Sequence, residues 1–202
     1  MAMRTEIPRL MTEEEFESWC DEDTRAEFVD GVIVEMSPVS AVHDDLFHFL
    51  ARLLGNYLEV NPVGRVRGPE FQVRLRAGLR RVPDLLFVSA EKTHTLRRTY
   101  LDGAPDAAFE IVSPESVDRD RREKLAEYEA AGVIEYWVVD PAYQVLHLYR
   151  IGPEGKYAPV AEEAGWLSSI AIPGFRMRPA WLWQEPLPRV LDCLREAGVS
   201  FS

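Results

Sequence analysis

Glu110 is the first residue of the sequence that calls for a chemical explanation. It lies within FEIVSP, residues 109–114, whose apolar residues predict a buried strand. An ionised carboxylate in apolar surroundings is unstable unless a cation pairs with it or binds it. The sequence therefore predicts a cationic partner for Glu110.

Asp84 is the carboxylate that can meet Glu110. It begins a strand predicted over 84–89, whereas Glu110 lies toward the end of a strand predicted over 106–112. If the two strands pair antiparallel, the start of one lies beside the end of the other. Two carboxylates at that end of a sheet could bind Mg²⁺ or Mn²⁺. Asp106 is the weaker candidate, because four residues of strand separate it from Glu110 by roughly 13 Å.

Lys124 lies fourteen residues after Glu110, on a helix predicted over residues 118–132. Lysine carries a compact positive charge that can orient a water molecule or stabilise a developing negative charge. A structural alternative is an i,i+4 contact on the same helix, with Asp120 four residues earlier or Tyr128 four residues later. The sequence leaves both roles open for Lys124.

The elements that must position these residues alternate between helices and strands. Thr12 and Glu15 form a capping-box pattern that opens a short helix ending near Cys20. Asp30-Gly31 predicts a β-hairpin within residues 26–38. The remaining predictions are a helix over 41–59, strands over 64–68, 71–75, 84–89, 107–113, 134–140, 144–150 and near 157–160, and a helix over 187–197. This order predicts a single mixed α/β domain over residues 1–202.

Composition and charge narrow the classes of function. The chain has 202 residues, 47% of them hydrophobic, and a net charge of −11. Residues 65–124 carry 13 basic and 10 acidic residues, so the middle of the chain alone has a positive balance. Two cysteines, and neither a membrane-spanning run nor a secretory signal, predict a cytoplasmic protein.

Three segments together resemble a known family. RVPDLLFV, PDAAFEIVSPES and EKLAEYEAAGVIEYWVVDP are similar to the Uma2 family, also called DUF820, within the PD-(D/E)XK nuclease superfamily. AEFVDGVIVEMSPVSAVHDDL resembles the N-terminal segment of the same family. The resemblance covers residues 8–185, nearly the whole chain, and implies a restriction-endonuclease-like core with flanking helices and a Mg²⁺ site at one end of the sheet.

The resemblance also implies roles for individual residues. Asp84 and Glu110 match the metal-binding carboxylates of the motif, and the Ile111 carbonyl would join them on the ion. Val112 stands where the superfamily pattern has lysine, and the helix residue Lys124 matches the family's substitute for it. Two N-terminal positions correspond to polar residues of the cleft: Glu27 and His43. Glu27 and Val29 lie on the same face of the predicted strand, so Glu27 could instead be a solvent-facing strand residue.

The leading expectation is a Mg²⁺-dependent endonuclease that hydrolyses DNA as a homodimer. Arginines near the site are expected to contact phosphates: Arg74, Arg76, Arg80 and Arg81. The alternative is a catalytically silent nuclease fold that serves as a binding or assembly module. In that case Lys124 would pair with Asp84 and Glu110 as a buried ionic cluster that needs no metal. A bound divalent ion or a direct salt bridge at this site distinguishes the two expectations.

Overall fold

The computed structural model describes residues 10–21, 26–36, 38–113 and 122–201. The helices are α1 (Glu13–Trp19), α2 (Ala41–Val60), α3 (Lys124–Ala131) and α4 (Val190–Glu196), with 3-10 helices at Ala90–Thr95 and Pro179–Trp183. The strands are β1 (Ala26–Val29), β2 (Val32–Glu35), β3 (Gly64–Arg67), β4 (Gln72–Arg76), β5 (Leu79–Arg81), β6 (Leu85–Ser89), β7 (Tyr100–Asp102), β8 (Ala107–Ile111), β9 (Glu135–Asp140), β10 (Val145–Ile151), β11 (Tyr157–Pro159), β12 (Leu167–Ser168) and β13 (Arg176–Met177).

Two mixed sheets organise these strands. The larger sheet has the order β11-β10-β9-β8-β6-β3, and the smaller has the order β2-β1-β5-β4-β7. In the larger sheet β8 runs parallel to β9 and antiparallel to β6, and in the smaller sheet β4 runs parallel to β7. A short two-stranded sheet, β12-β13, lies near the C-terminus. The predicted mixed α/β class is confirmed.

The larger sheet is covered on both faces. Helix α2 packs its apolar side against one face, and its residues at helical spacing are buried, as predicted: Leu46, Phe49, Leu50, Leu53, Leu54 and Tyr57. The other face contacts α3 and the smaller sheet through a second apolar cluster that contains Leu86, Val112 and Tyr128. Polar side chains at the end of this sheet are therefore enclosed by elements on both sides.

One of the passages of the chain from the smaller sheet to the larger sheet is a segment of only three residues. β5 of the smaller sheet ends at Arg81, and β6 of the larger sheet begins at Leu85. Val82, Pro83 and Asp84 connect them, so Asp84 lies where the two sheets meet. This junction brings side chains from both sheets close to the predicted metal-binding carboxylate.

Several local predictions are confirmed. Thr12 caps α1 with the full capping box to Glu15, and the hairpin turns at Asp30-Gly31. Helix α3 ends at Gly132, which adopts the left-handed conformation with φ of 80°. The predicted start of that helix at residues 118–121 lies outside the described residues.

The sequence interpretation missed four short strands: β5, β7, β12 and β13. The segment RAGLRRVP contains β5, and the segment over 91–104, expected as a helix or loop, contains both a 3-10 helix and β7. β5 and β7 are three residues long; β5 pairs with β1 and β4, and β7 pairs with β4. Among the described residues, no helix has both the length and the apolar character needed to cross a bilayer.

Candidate active site

Asp84 and Glu110 meet at one end of the larger sheet. β6 and β8 pair antiparallel with Leu85 opposite Phe109, so one further step of the register places Asp84 opposite Glu110. The Asp84 carboxylate accepts a hydrogen bond from the Ile111 backbone N–H at 2.6 Å through Oδ2. The antiparallel pairing expected from the sequence is confirmed, and its register places the two residues side by side at this end of the sheet.

Glu110 is buried and held by two donors. Its side chain is 4% exposed, and Oε1 accepts hydrogen bonds from Lys124 Nζ at 2.8 Å and from the Tyr128 hydroxyl at 3.0 Å. Burial and the nearby Glu110 carboxylate raise the pKa of Tyr128 well above its usual value, so the hydroxyl remains protonated and donates. The cationic partner predicted for Glu110 is therefore a lysine from helix α3.

Lys124 bridges carboxylates from the two sheets. Its ammonium lies 2.8 Å from Glu110 Oε1 on β8 and 3.2 Å from Glu27 Oε1 on β1. The lysine is as buried as its partners, with a side chain that is 4% exposed. The alternative partner Asp120 lies outside the described residues. The ammonium thus occupies the centre of the site.

Glu27 is an internal residue of the site, which corrects the solvent-facing alternative. Only 2% of it is exposed, and Oε2 accepts a hydrogen bond from Arg81 Nη1 at 2.7 Å while Oε1 accepts one from the Val82 N–H at 3.2 Å. Burial opposes its ionisation, but Lys124 and Arg81 outweigh that effect and keep the pKa of Glu27 below its usual value. Alternation along β1 could not show this, because the partners come from distant segments.

His43 reaches the site from the first turn of α2. Ser40 caps this helix by accepting a hydrogen bond from the His43 N–H, and the His43 ring is buried. Its Nε2 lies 3.1 Å from Asp84 Oδ1. Asp84 is consequently oriented by two groups, the imidazole of His43 through Oδ1 and the Ile111 N–H through Oδ2.

Val112 fills an apolar position on the same strand face as Glu110. It is 5% exposed and packs in the cluster that contains Tyr128 and Ala108. Tyr128, predicted only as a helix neighbour of Lys124, comes four residues after it and so lies on the same side of α3. The helical spacing of Lys124 and Tyr128, both facing Glu110, is the signal that could have identified it.

The four arginines expected to contact phosphates are all engaged by carboxylates. Arg74 binds Glu13 and Asp102, and Arg76 binds the exposed Asp30. Arg80 and Arg81 are 3% and 1% exposed, so the structure does not present their guanidinium groups to a polyanion. The reason is that β5 lies inside the smaller sheet, between β1 and β4. Phosphate contact stays a prediction for the more exposed Arg74 and Arg76.

The donor set at the sheet end suits a divalent cation. Mg²⁺ is usually bound through one or two carboxylates, with water completing its coordination. When His43 is neutral, the site has more carboxylates than permanent cations. The carboxylates are Glu27, Asp84, Glu110, Glu127 and the exposed Glu123, which lies 3.7 Å from Arg81, and the permanent cations are Arg81 and Lys124. No cluster of three His, Cys, Asp or Glu side chains arranged for metal binding occurs among the described residues.

A cleft of about 460 Å³ opens onto Asp84 and His43. Its walls come from the segment after β2, from the first turns of α2 and from the junction between the sheets. The lining is largely apolar and includes Met36, Val39, Phe47 and Pro83. Asp84 and His43 are the residues of the site that border this cleft; Glu110 and Lys124 are not part of its lining.

Comparison with known proteins identifies the family of the chain and a solved structure with a similar fold. The model of the Uma2 family, described as "Putative restriction endonuclease", matches residues 13–180. A crystal structure described as a putative nuclease belonging to DUF820, from Anabaena variabilis, has a similar fold with a TM-score of 0.72. It shares 16% sequence identity over 86% of this chain and 97% of that chain. No curated protein shows a significant match. By the extent of the family match, the chain belongs to the Uma2 family.

Proposed function

We propose that this protein is a metal-dependent endonuclease that hydrolyses DNA phosphodiester bonds. The observation that carries the proposal is the meeting of Asp84 and Glu110 at one sheet end with the Lys124 ammonium 2.8 Å from Glu110. The family description and the nuclease-like fold support the same reaction class. DNA is the substrate class that this description favours.

Asp84 and Glu110 would hold Mg²⁺ or Mn²⁺, with the Ile111 carbonyl as a further ligand. Such an ion, when bound, polarises a phosphoryl oxygen and lowers the pKa of a bound water. His43 and the Ile111 N–H fix the direction of the Asp84 carboxylate, while Tyr128 does the same for Glu110. A preoriented carboxylate pair needs little rearrangement when a cation binds.

Lys124 would act on the reacting phosphate or on the attacking water. Its ammonium is a compact positive charge in a site from which protein has displaced most water, where charge stabilisation is strongest. Val112 leaves the strand position of the superfamily lysine apolar, and Lys124 brings an ammonium to the same carboxylate from helix α3. The lysine thus serves the same site from a different element.

Asp84→Asn tests this function most directly. Removing one carboxylate charge should abolish calorimetric Mg²⁺ binding and reduce nicking of supercoiled plasmid by about 100-fold or more. Asp106→Asn is the matched control, since Asp106 also accepts a backbone N–H at 2.6 Å and has a side chain that is 5% exposed, against 13% for Asp84, but lies at the other end of β8. Equal loss in both variants, or full nicking by Asp84→Asn, would contradict the proposal.

A catalytically silent binding or assembly module is the second candidate. The direct salt bridge between Lys124 and Glu110 favours it, because a buried carboxylate with its own cation needs no metal ion. The same calorimetry separates the two functions. Wild-type protein that binds no Mg²⁺ or Mn²⁺ and leaves plasmid intact would establish the module and exclude the nuclease.

Domain organisation, location and assembly complete the proposal. We expect the chain to act as one domain and to function in the cytoplasm, which agrees with two cysteines that are both free thiols. A homodimer is expected because two sites are needed to cut both strands of a duplex.

A further inference from the structure

Arg81 is the most buried cation of the site, and the proposed reaction gives it no task. Its side chain is 1% exposed, yet it carries a permanent charge. Such a charge is stable inside a protein only when carboxylates surround it with good hydrogen-bond geometry. The carboxylates that bind Arg81 therefore show which parts of the site this arginine holds in place.

Glu127 occupies one side of the guanidinium group. Arg81 Nε lies 2.6 Å from Glu127 Oε2, and Nη2 lies 2.7 Å from Oε1, which is a two-point contact that lysine cannot make. Glu127 comes three residues after Lys124 on α3, so the two side chains leave neighbouring positions of the same helix. Through Glu127, Arg81 fixes the rotation and position of the helix that carries the lysine.

Glu27 accepts a hydrogen bond from the third nitrogen of the guanidinium group, Nη1. Extending the register between β1 and β5 by one residue places Glu27 opposite Arg81, and Arg81 Nη1 donates to Glu27 Oε2 at 2.7 Å. The other oxygen of Glu27 lies 3.2 Å from Lys124 Nζ. Arg81 therefore reaches the lysine by two routes, one through a carboxylate and one through the helix.

We propose that Arg81 is a positioning residue, which uses Glu127 and Glu27 to hold the Lys124 ammonium against Glu110. Its effect on the reaction rests on the proposed nuclease function, but its effect on the lysine does not. Arg81 is buried behind Glu27 and Glu127, so it acts through Lys124 without contacting a substrate.

Arg81→Lys tests the role while keeping the charge. We expect kcat for DNA cleavage to fall about 10-fold or more, with KM and Mg²⁺ affinity changed less than about 2-fold, because small displacements of a catalytic group are costly. In a Lys124→Gln background, Arg81→Lys should cause no further loss of kcat. Additive losses would overturn the proposal, since they would show that Arg81 acts independently of the lysine.

A second readout examines the lysine itself and needs no activity. The wild-type chain has three lysines, at positions 92, 124 and 156, and Arg81→Lys adds a fourth, so ¹⁵N-lysine labelling still gives few ammonium signals to assign. Arg81→Lys should shift or broaden the Lys124 signal relative to wild type and leave the Lys156 signal unchanged. An unchanged Lys124 signal would overturn the positioning role, whereas absent cleavage by the wild type would overturn only the nuclease.

Two further variants protect the test against loss of folding. Glu127→Ala breaks the two-point contact from a position whose side chain is 20% exposed, and should give the same kcat and ammonium changes as Arg81→Lys. Arg150→Lys is the matched control, because Arg150 also binds a buried glutamate, Glu135, through Nε and Nη2 but outside the site. An equal fall of kcat in the control would show a general effect of arginine replacement and would overturn the proposal.

Discussion

At the scale of single residues, the site is an alternation of buried carboxylates and cations. Glu27 shows the principle best, because it lies between Arg81 and Lys124 and each of its oxygens faces one of them. Removing either member of such a pair leaves the other as an uncompensated buried charge, and that costs more than the pair contributes. Each charge in the cluster therefore depends on its neighbours for stability as well as for orientation.

Glu27→Gln should lower the free energy of unfolding by about 3 kcal/mol at pH 7, since it keeps the shape of the side chain and removes the charge between two cations. Urea unfolding followed by fluorescence measures this difference. Glu35→Gln is the control, because Glu35 is an exposed residue on the neighbouring strand β2. Equal midpoints for wild type and Glu27→Gln would show that the charge of Glu27 does not matter.

The same variant gives a pH dependence with a defined sign. The pKa of Glu27 is lower in the folded protein than its ordinary value of 4.5, so its ionisation stabilises the fold above pH 4.5. That contribution begins to be lost as the pH falls below 4.5, and its loss is complete once the pH is below the lower pKa that Glu27 has in the folded protein. The stability difference between wild type and Glu27→Gln should consequently shrink in acid, and a difference that grows there would contradict the assignment.

At the scale of elements, the site lies at a junction where the two mixed sheets contact helices α2 and α3. Asp84 lies on the segment between β5 and β6. β1, β8 and α2 each contribute one side chain that contacts another member of the site, and α3 contributes three: Lys124, Glu127 and Tyr128. Helix α1 supports the smaller sheet from outside, with Glu13 contacting Arg74 Nε at 2.5 Å and the Gly78 N–H at 3.1 Å. Displacing one of these elements would disturb a residue of the site.

The sequence predicted the elements whose signals are local. The hairpin at Asp30-Gly31, the capping box of α1 and the apolar side of α2 depend on residues a few positions apart, and all three are confirmed. β5 was missed because two of its three residues are arginines, whose burial depends on carboxylates of other elements.

The site residues, like the elements, divide into those that the sequence predicts and those that depend on distant segments. The meeting of Asp84 and Glu110 followed from strand order, and the structure brings them together as expected. The burial of Glu27 and the role of Arg81 as a partner in the cluster depend on contacts between distant segments. Periodicity along one strand or one helix contains no information about such contacts, so reasoning from spacing could not reach them.

Glu13 makes the attachment of α1 sensitive to acid. The hydrogen bonds from Arg74 lower its pKa from 4.5 to about 2, so its contribution is complete above pH 4.5 and is lost between pH 4.5 and 2. Glu13→Gln should reduce the free energy of unfolding by about 2–3 kcal/mol at pH 7 and by much less at pH 2. Glu14→Gln, in the same turn but exposed, is the control and should have little effect at either pH. A constant difference from pH 7 to pH 2 would exclude this role of Glu13.

At the scale of the whole molecule, the net charge of the chain opposes binding of the proposed polyanionic substrate. The net charge is −11, whereas residues 65–124 have three more basic than acidic residues. Repulsion between an acidic protein and DNA is strongest at low salt, but bound divalent cations reduce it at the point of contact. Productive binding is therefore expected to be confined to the part of the surface around the Asp84 cleft.

The proposed homodimer makes a prediction about the products of cleavage. One chain has a mass of 23.1 kDa and one candidate site, so a concerted cut through both strands requires two chains. We expect light scattering to give twice the mass of one chain, and supercoiled plasmid to yield linear DNA without a large accumulation of nicked circles. Mixing wild type with an excess of Asp84→Asn should form dimers with one active site, which convert the main product from linear to nicked DNA. A single-chain mass, together with a product ratio that the variant does not alter, would show that each chain acts alone.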